Sequence, residues 1–279
     1  MVVFKEVDKE QLLAFLKKNK FTPLEPKTVY EDIRYFKGVN NRRIMLILYT
    51  SGKLLIQGNE DKIEELSHKL ESVRIGKKIK KIEFRKELGW VIGSDESLKG
   101  DTFGGMVVAG VKADEELRVK LKELGVADSK ILRDKEILRM AQEIKKMCSC
   151  EIVNLTPEEY NHKVKMYGSS KVLNDMHKQV GKFLLPGTHI VDKFPGCKVG
   201  DIREIKAEHK FIEVAAASIL ARATALEQIN YLSKKAGFPV PKGSTHVKWG
   251  LEELKERDFK FEEFVKTHFK NVEEFLPKK

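Results

Sequence analysis

WVIGSDESLKGDTFGGMVVAGV, residues 90–111, begins apolar, meets two adjacent acids, crosses a glycine-spaced loop and turns apolar again. It reads as a buried strand that delivers Asp95 and Glu96 at its carboxyl end, followed by a loop and a second strand. The pattern recurs in THIVDKF, 188–194, where an apolar strand delivers Asp192. Open α/β sheets gather their sites outside such strand ends, so Asp95 and Asp192 are expected to converge across the 97 positions between them. Successive strand residues face opposite sides, so Glu96 joins the same site only if the strand stops there, and Lys99-Gly100 permits the break. Clustered carboxylates repel and raise one another's pKa unless a cation neutralises them. Oxygen-only ligands suit Mg²⁺ or Mn²⁺, and two such ions about 4 Å apart would clamp the attacking and leaving oxygens of a phosphodiester hydrolysis. The plainer reading makes Asp95 and Glu96 solvated loop acids or a helix cap. A phosphate cradle is excluded: the glycines at 93, 100, 104 and 105 form neither G-x-G-x-x-G nor G-x-x-x-x-G-K-[ST].

Outward from this stretch the chain changes texture. Downstream, WVIGSDE, GMVVAGV, CSCEIVNL and THIVDKF alternate with helix-patterned stretches at 114–124, 131–147, 156–185 and 210–236, which argues an α/β domain around a central sheet over 89–279. Upstream, residues 1–75 read as a small α+β domain. An amphipathic helix capped at Asp8 leads into strands VYEDIRYFKG, NRRIMLILYT and KLLIQG, turning at Gly38–Asn41 and Ser51-Gly52-Lys53, and a second helix follows. The lysine-dense 76–88 matches neither neighbour and reads as a linker.

The 279 residues carry 53 basic and 42 acidic side chains, a net charge of +11. Residues 1–89 hold 20 basic and 13 acidic residues, +7, so the smaller segment carries most of the excess and polyanions are the natural partner class. Basic surface for solubility alone is the competing reading. No run approaches a membrane span, and the N-terminus lacks the apolar block of a signal peptide, so a cytoplasmic protein is expected. Cys148, Cys150 and Cys197 make neither a disulfide framework nor a zinc spacing.

These motifs resemble the type 2 ribonucleases H, most closely the ribonuclease HIII branch. GSDESLKGDTFGGMVVAGV is similar to that family's first strand and loop, ADSK at 127–130 to a family signature, IVDKF to the strand bearing the third acid, and KAEHKFIEVAAASILAR to the block bearing the fourth. The resemblance covers about 90–270 and implies a ribonuclease-H-like domain, a central mixed sheet flanked by helices, with Asp95, Glu96, Asp192 and Glu208 as catalytic, metal-binding acids. Asp95 would bridge two Mg²⁺ or Mn²⁺ ions, Glu96 and Asp192 would complete their shells, and Glu208 would hold the metal that positions the attacking water. The implied activity is endonucleolytic cleavage of the RNA strand of RNA/DNA hybrids, leaving 3′-hydroxyl and 5′-phosphate ends, by a protein that requires no partner chain and is expected to be a monomer. YTSGKLLIQG is similar to the strand-turn-strand of a TATA-binding-protein repeat, which implies that the first domain grips the hybrid, with Arg42, Arg43, Tyr49 and Lys53 as candidates against plain surface or core roles.

One position departs from the family: Leu98 stands where glycine precedes the basic residue. That loop's backbone approaches the ribose hydroxyls that distinguish RNA from DNA. Leu98 is expected to turn away and pack while Ser97, Lys99 and Gly100 contact substrate. Otherwise it crowds the loop, or forbids a positive φ, and recognition changes. Ser129 and Lys130 are candidates for substrate phosphate, against a helix cap and a solvated lysine. His246 matches a histidine at the family's substrate edge, against an ordinary surface histidine. Asn174 and His177, three apart on a helical run, rank behind these. Ala215, Ala216, Ala217 and Ala221 read as a packing face. Rival functions are incision at single embedded ribonucleotides, as in the HII branch, a nucleic-acid-binding module with catalysis impaired at Leu98, and a nucleotide-binding transferase that lacks a phosphate loop.

Overall fold

The computed structural model describes residues 2–38, 43–78, 84, 85, 87, 89–126 and 132–276. The chain divides into two compact units, Met1–Lys81 and Ile82–Lys279. Among the described residues no helix is long and apolar enough to cross a membrane, and the three cysteines are free thiols.

The first unit contains β1 (Val2–Lys5), α1 (Lys9–Lys18), β2 (Thr22–Leu24), β3 (Glu31–Lys37), β4 (Ile44–Tyr49), β5 (Leu54–Gly58), α2 (Glu60–Ser72) and β6 (Lys77–Lys78). Asp8 caps α1 by accepting from the Gln11 N–H at 2.9 Å. The sheet is antiparallel in the order β2-β3-β4-β5-β1-β6. Pro23, which cannot donate to a ladder, lies on the edge strand β2. Leu12 and Leu16 of α1 and Ile63, Leu66 and Leu70 of α2 pack with Leu46, Leu48, Leu54 and Ile56 into one core. The alternate residues Phe36, Met45, Ile47, Tyr49 and Leu55 point to the opposite sheet face. Three strands go beyond the sequence expectation: β1 precedes the first helix, the short β2 follows it, and Lys77–Lys78 form β6 beside β1.

The second unit follows with β7 (Val91–Ser97), β8 (Met106–Ala113), α3 (Glu115–Glu123), α4 (Asp134–Met147), β9 (Ser149–Leu155), α5 (Pro157–Tyr167), α6 (Ser169–Leu184), β10 (Thr188–Asp192), β11 (Ile202–Glu204), α7 (Ile212–Ala236), α8 (Lys248–Glu256) and α9 (Lys270–Glu273). The mixed sheet runs β11-β10-β7-β8-β9, with β10 parallel to β7 and β11 and the other pairs antiparallel. The helix-patterned stretch 156–185 is two helices, because Gly168 at φ 79° breaks it.

The sheet is clasped closely on both faces. A Cβ at Gly93 would stand 2.3 Å from the α7 backbone at Glu213 and Val214, and one at Gly110 would stand 2.2 Å from Val180 of α6. Ala215, Ala216, Ala217 and Ala221 of α7 are fully buried, as their small side chains suggest. The buried Arg118–Glu213 ion pair also binds the chain entering β7: the guanidinium donates to the carbonyls of Glu87 at 2.6 Å and Gly89 at 2.7 Å. This tight central packing leaves the ends of β7 and β10 as the place where polar groups collect.

Candidate active site

β7 does not stop at the acids. It pairs with β8 through Asp95, Glu96 and Ser97, opposite Ala109, Val108 and Val107. The break comes on the other edge: β10 pairs with β7 only as far as Val191 opposite Ser94, and then ends at Asp192. Beyond Ser94 one edge of β7 is open, and the site forms around that notch from both sheet faces. The expectation that the strand had to stop is therefore corrected, because a one-sided end suffices. Asp95 shares the α7 face with Gly93, whereas Glu96 shares the α6 face with Ser94.

Asp95 is buried at 9% exposure and accepts from the Glu96 N–H at 2.8 Å. Burial, and then the negative charges of Glu96, Asp192 and Glu208, push its carboxyl well above the usual range. Each of the other three expected acids lies close enough for its charge to act on Asp95. Asp192 accepts from the Ala207 N–H at 2.9 Å, which ties the end of β10 to the 3-10 turn Ala207–His209. Glu208 sits on that turn, 2% exposed, with the His209 ring 3.7 Å from its carboxylate. Burial raises the Glu96 pKa, but His177 and then Lys99 outweigh it and the net shift is downward. Its Oε1 receives the Lys99 ammonium at 2.8 Å, and its Oε2 faces His177 Nε2 at 3.4 Å.

The donors are all carboxylate oxygens, the set suited to a hard divalent cation, and Asp95 carries the burden of three negative neighbours in a desolvated position. The chemistry of the site fits such an ion. Among the described residues, no three His, Cys, Asp or Glu side chains are grouped to hold an ion as they stand. Asp95, Glu96 and Asp192 are instead engaged by protein donors.

The neighbouring loop resolves the question of Leu98. Its φ is 67°, so the position does take the left-handed conformation that favours glycine, and its side chain is 6% exposed within the main core. Leu98 turns inward, while Ser97 is partly exposed and Lys99 and Gly100 are exposed. The Asp101 N–H donates to the Leu98 carbonyl at 3.2 Å, and the loop is pinned from outside: the Gly243 N–H donates to Asp101 Oδ1 at 2.7 Å, and the Thr102 N–H to the Gly243 carbonyl at 2.9 Å. His246, exposed, follows three residues after this anchor. From within, the fully buried Lys266 donates to the carbonyls of Asp101 at 2.6 Å and Gly104 at 3.1 Å.

In the first unit, Tyr49 is partly buried at the end of β4, Lys53 is exposed in the turn after it, and Arg43 is exposed with its guanidinium 4.5 Å from the Phe36 ring centroid. Arg42, Ser129 and Lys130 lie outside the described residues. Asn174 holds the loop after β10, donating to the Gly196 carbonyl at 2.9 Å and accepting from the Lys198 N–H at 2.7 Å. Sequence reasoning missed Ser94 and His189 and ranked His177 low. Period-two alternation, which puts Ser94 on the Glu96 face, was the available signal.

A mixed sheet with four carboxylates around a one-sided strand end defines the class: a ribonuclease-H-like, metal-dependent phosphodiester hydrolase. The family model for ribonuclease HII matches residues 92–272. Ribonuclease HIII of Protochlamydia amoebophila is 35% identical over 264 residues, 83% of each chain. The crystal structure of Bst-RNase HIII in complex with Mn²⁺ superposes with a TM-score of 0.61 at 25% identity, over 98% of this chain and 97% of that one. Aquifex aeolicus RNase H3 gives 0.57 at 27% identity over 95% and 98%. The chain belongs to the ribonuclease HIII family, within the type 2 ribonucleases H.

Proposed function

We propose that Asp95, Glu96, Asp192 and Glu208 hold two Mg²⁺ or Mn²⁺ ions and that the protein cleaves the RNA strand of RNA/DNA hybrids endonucleolytically, leaving 3′-hydroxyl and 5′-phosphate ends. The observation that carries this reading is the register that ends β10 at Asp192 beside the open edge of β7 bearing Asp95 and Glu96, with Asp192 tied to the turn that bears Glu208. The ions would supply charge neutralisation at the reacting phosphate and an activated water. Asp95, reached by the charges of all three other acids, would hold the ions together with Glu96 beside it on β7, Asp192 at the end of β10 and Glu208 on the turn before α7. His177 and then Lys99 favour the ionised form of Glu96, and Lys99 presents its own charge to the substrate backbone. Ser97, Lys99 and Gly100 offer the exposed edge of a pinned loop to the ribose, an approach that inward-turned Leu98 leaves open. Ser129 and Lys130, from their sequence motif alone, and His246 are the further candidates for substrate contact.

The first unit grips the hybrid. The sheet face away from its helices presents Phe36, Met45 and Tyr49, with Arg43 over Phe36 and Lys53 at the turn, an aromatic and basic surface suited to sugar and phosphate. Arg42, which lies outside the described residues, is proposed for the same role from its neighbourhood in the sequence. The free thiols suit a reducing cytoplasm.

Purified protein with a labelled hybrid tests the reading. Cleavage in Mg²⁺ or Mn²⁺, and none in EDTA, is expected; no cleavage with any divalent ion overturns it. Duplex DNA with one embedded ribonucleotide, run in parallel, separates this activity from that of the HII branch: preferential incision there would reassign the substrate.

A further inference from the structure

Behind Glu96 a chain of buried polar groups crosses the second unit. Glu96 Oε2 and His177 Nε2 are both buried without a hydrogen-bond partner, and they face each other at 3.4 Å. His177 Nδ1 is 2.8 Å from Ser94 Oγ, which is also 2.8 Å from His189 Nε2. His177 and Ser94 are fully buried, and His189 is nearly so. The far end reaches a groove beside α6, lined by His189, Asn174, Lys178, Gly181 and Asp201. An added Cβ at Gly181 would stand 2.4 Å from the His189 ring, so this glycine makes room for that histidine.

We infer that His177 is a positioning residue for the metal site: its Nε2–H, held toward Glu96 by Ser94 and His189, sets the direction of the Glu96 carboxylate. This rests on the reading of Glu96 as a metal ligand. A neutral imidazole carries one N–H, and the partner of the other nitrogen decides which. A bare Nε2 would set a lone pair against a carboxylate oxygen in a desolvated site, so the proton belongs on Nε2. Nδ1 then accepts the Ser94 hydroxyl proton, and Ser94 Oγ in turn accepts from His189 Nε2–H. This one direction suits both hydrogen bonds of Ser94 Oγ and turns the unpartnered Nε2 as a donor toward the unpartnered Glu96 Oε2. Phe194 stacks on the His177 ring with centroids 5.2 Å apart and keeps it from rotating, while the Lys99 ammonium lies 5.2 Å from the Phe194 centroid. Glu96 is thus held at Oε1 by an exposed cation and at Oε2 by a buried, fixed donor. Donors behind a ligating group commonly alter metal affinity by about 10–100-fold.

Two measurements on the full chain test this. Nitrogen-15 NMR of the histidine rings in metal-free wild type reads which nitrogen of His177 carries the proton. Protonated Nε2 is expected, and a neutral ring with the proton on Nδ1 overturns the inference whether or not any variant folds. Calorimetric titration with Mn²⁺ compares His177→Leu with His177→Gln, whose amide nitrogen can replace the Nε2 donor. His177→Leu should raise the half-saturation concentration by about 10–100-fold, and His177→Gln should stay near wild type. Equal weakening in both variants would reduce His177 to packing, and an unchanged His177→Leu would remove it from the site. Wild type that takes up no Mn²⁺ would instead sink the assignment of Glu96 as a ligand.

Discussion

Leu98 lies against Gly104: a Cβ added at Gly104 would stand 2.9 Å from Leu98 Cδ1. The two residues close the base of the substrate loop, one by filling the space and the other by leaving it. Leu98 holds a left-handed backbone for which glycine is better suited, so packing at this position outweighs backbone strain.

Replacing Leu98 therefore separates the two effects. Leu98→Ala should lose about 2–5 kcal/mol, the cost of a large-to-small change in a core. Leu98→Gly opens a similar cavity but recovers about 1 kcal/mol of left-handed strain, so its loss should be smaller. Urea unfolding reads both, and a Leu98→Gly protein more stable than wild type would show that backbone strain outweighs the packing of the side chain. Hybrid cleavage by Leu98→Gly should stay near wild type, because the edge proposed to contact substrate is Ser97, Lys99 and Gly100.

Lys266 should give the protein a pH-dependent stability. Burial pushes its ammonium down to about 7, against the opposing pull of Asp101, whereas an unfolded lysine titrates near 10.4. Between these values the unfolded chain holds a proton that the folded chain lacks, so unfolding free energy should rise with pH from about 7 to 10 and fall on return. The neutral amine keeps two N–H groups, enough for the carbonyls of Asp101 and Gly104. Lys266→Met should flatten the slope over that window and weaken the loop's anchor, as unfolding measured at several pH values would report. A slope unchanged in Lys266→Met would assign it to other groups.

Gly93→Ala should be more damaging than Gly110→Ala. The new methyl at 93 meets the α7 backbone, while that at 110 meets the Val180 side chain, which has more freedom to move. Overpacking of this kind costs about 1–3 kcal/mol. Because Glu208 sits on the turn immediately before α7, Gly93→Ala should also lower cleavage more than its stability loss explains. Thermal unfolding and initial rates together check the order; Gly110→Ala as the worse variant would contradict it.

The strands bearing Asp95 and Asp192 were legible because apolar runs ending in acids are a local pattern. The short β1 and β11, of 4 and 3 residues, offered no alternation long enough to read. The one-sided end of β7 was hidden for a different reason: it depends on where β10 stops, a register between residues nearly a hundred positions apart. His177 was visible only as one polar residue on an amphipathic helix, and its aim at Glu96 depends on how α6 packs against β8 and β9. Glu208 was found through resemblance, since no strand pattern marks a residue on a 3-10 turn.

The most direct test is Asp192→Asn, assayed for hybrid binding and for single-turnover cleavage in the same preparation. The substitution keeps an oxygen to accept from Ala207 but removes a charge from the cluster around Asp95. Cleavage should fall on the order of a thousandfold or more while hybrid affinity stays near wild type. Cleavage at the wild-type rate would remove Asp192 from the metal site and contradict the four-carboxylate centre.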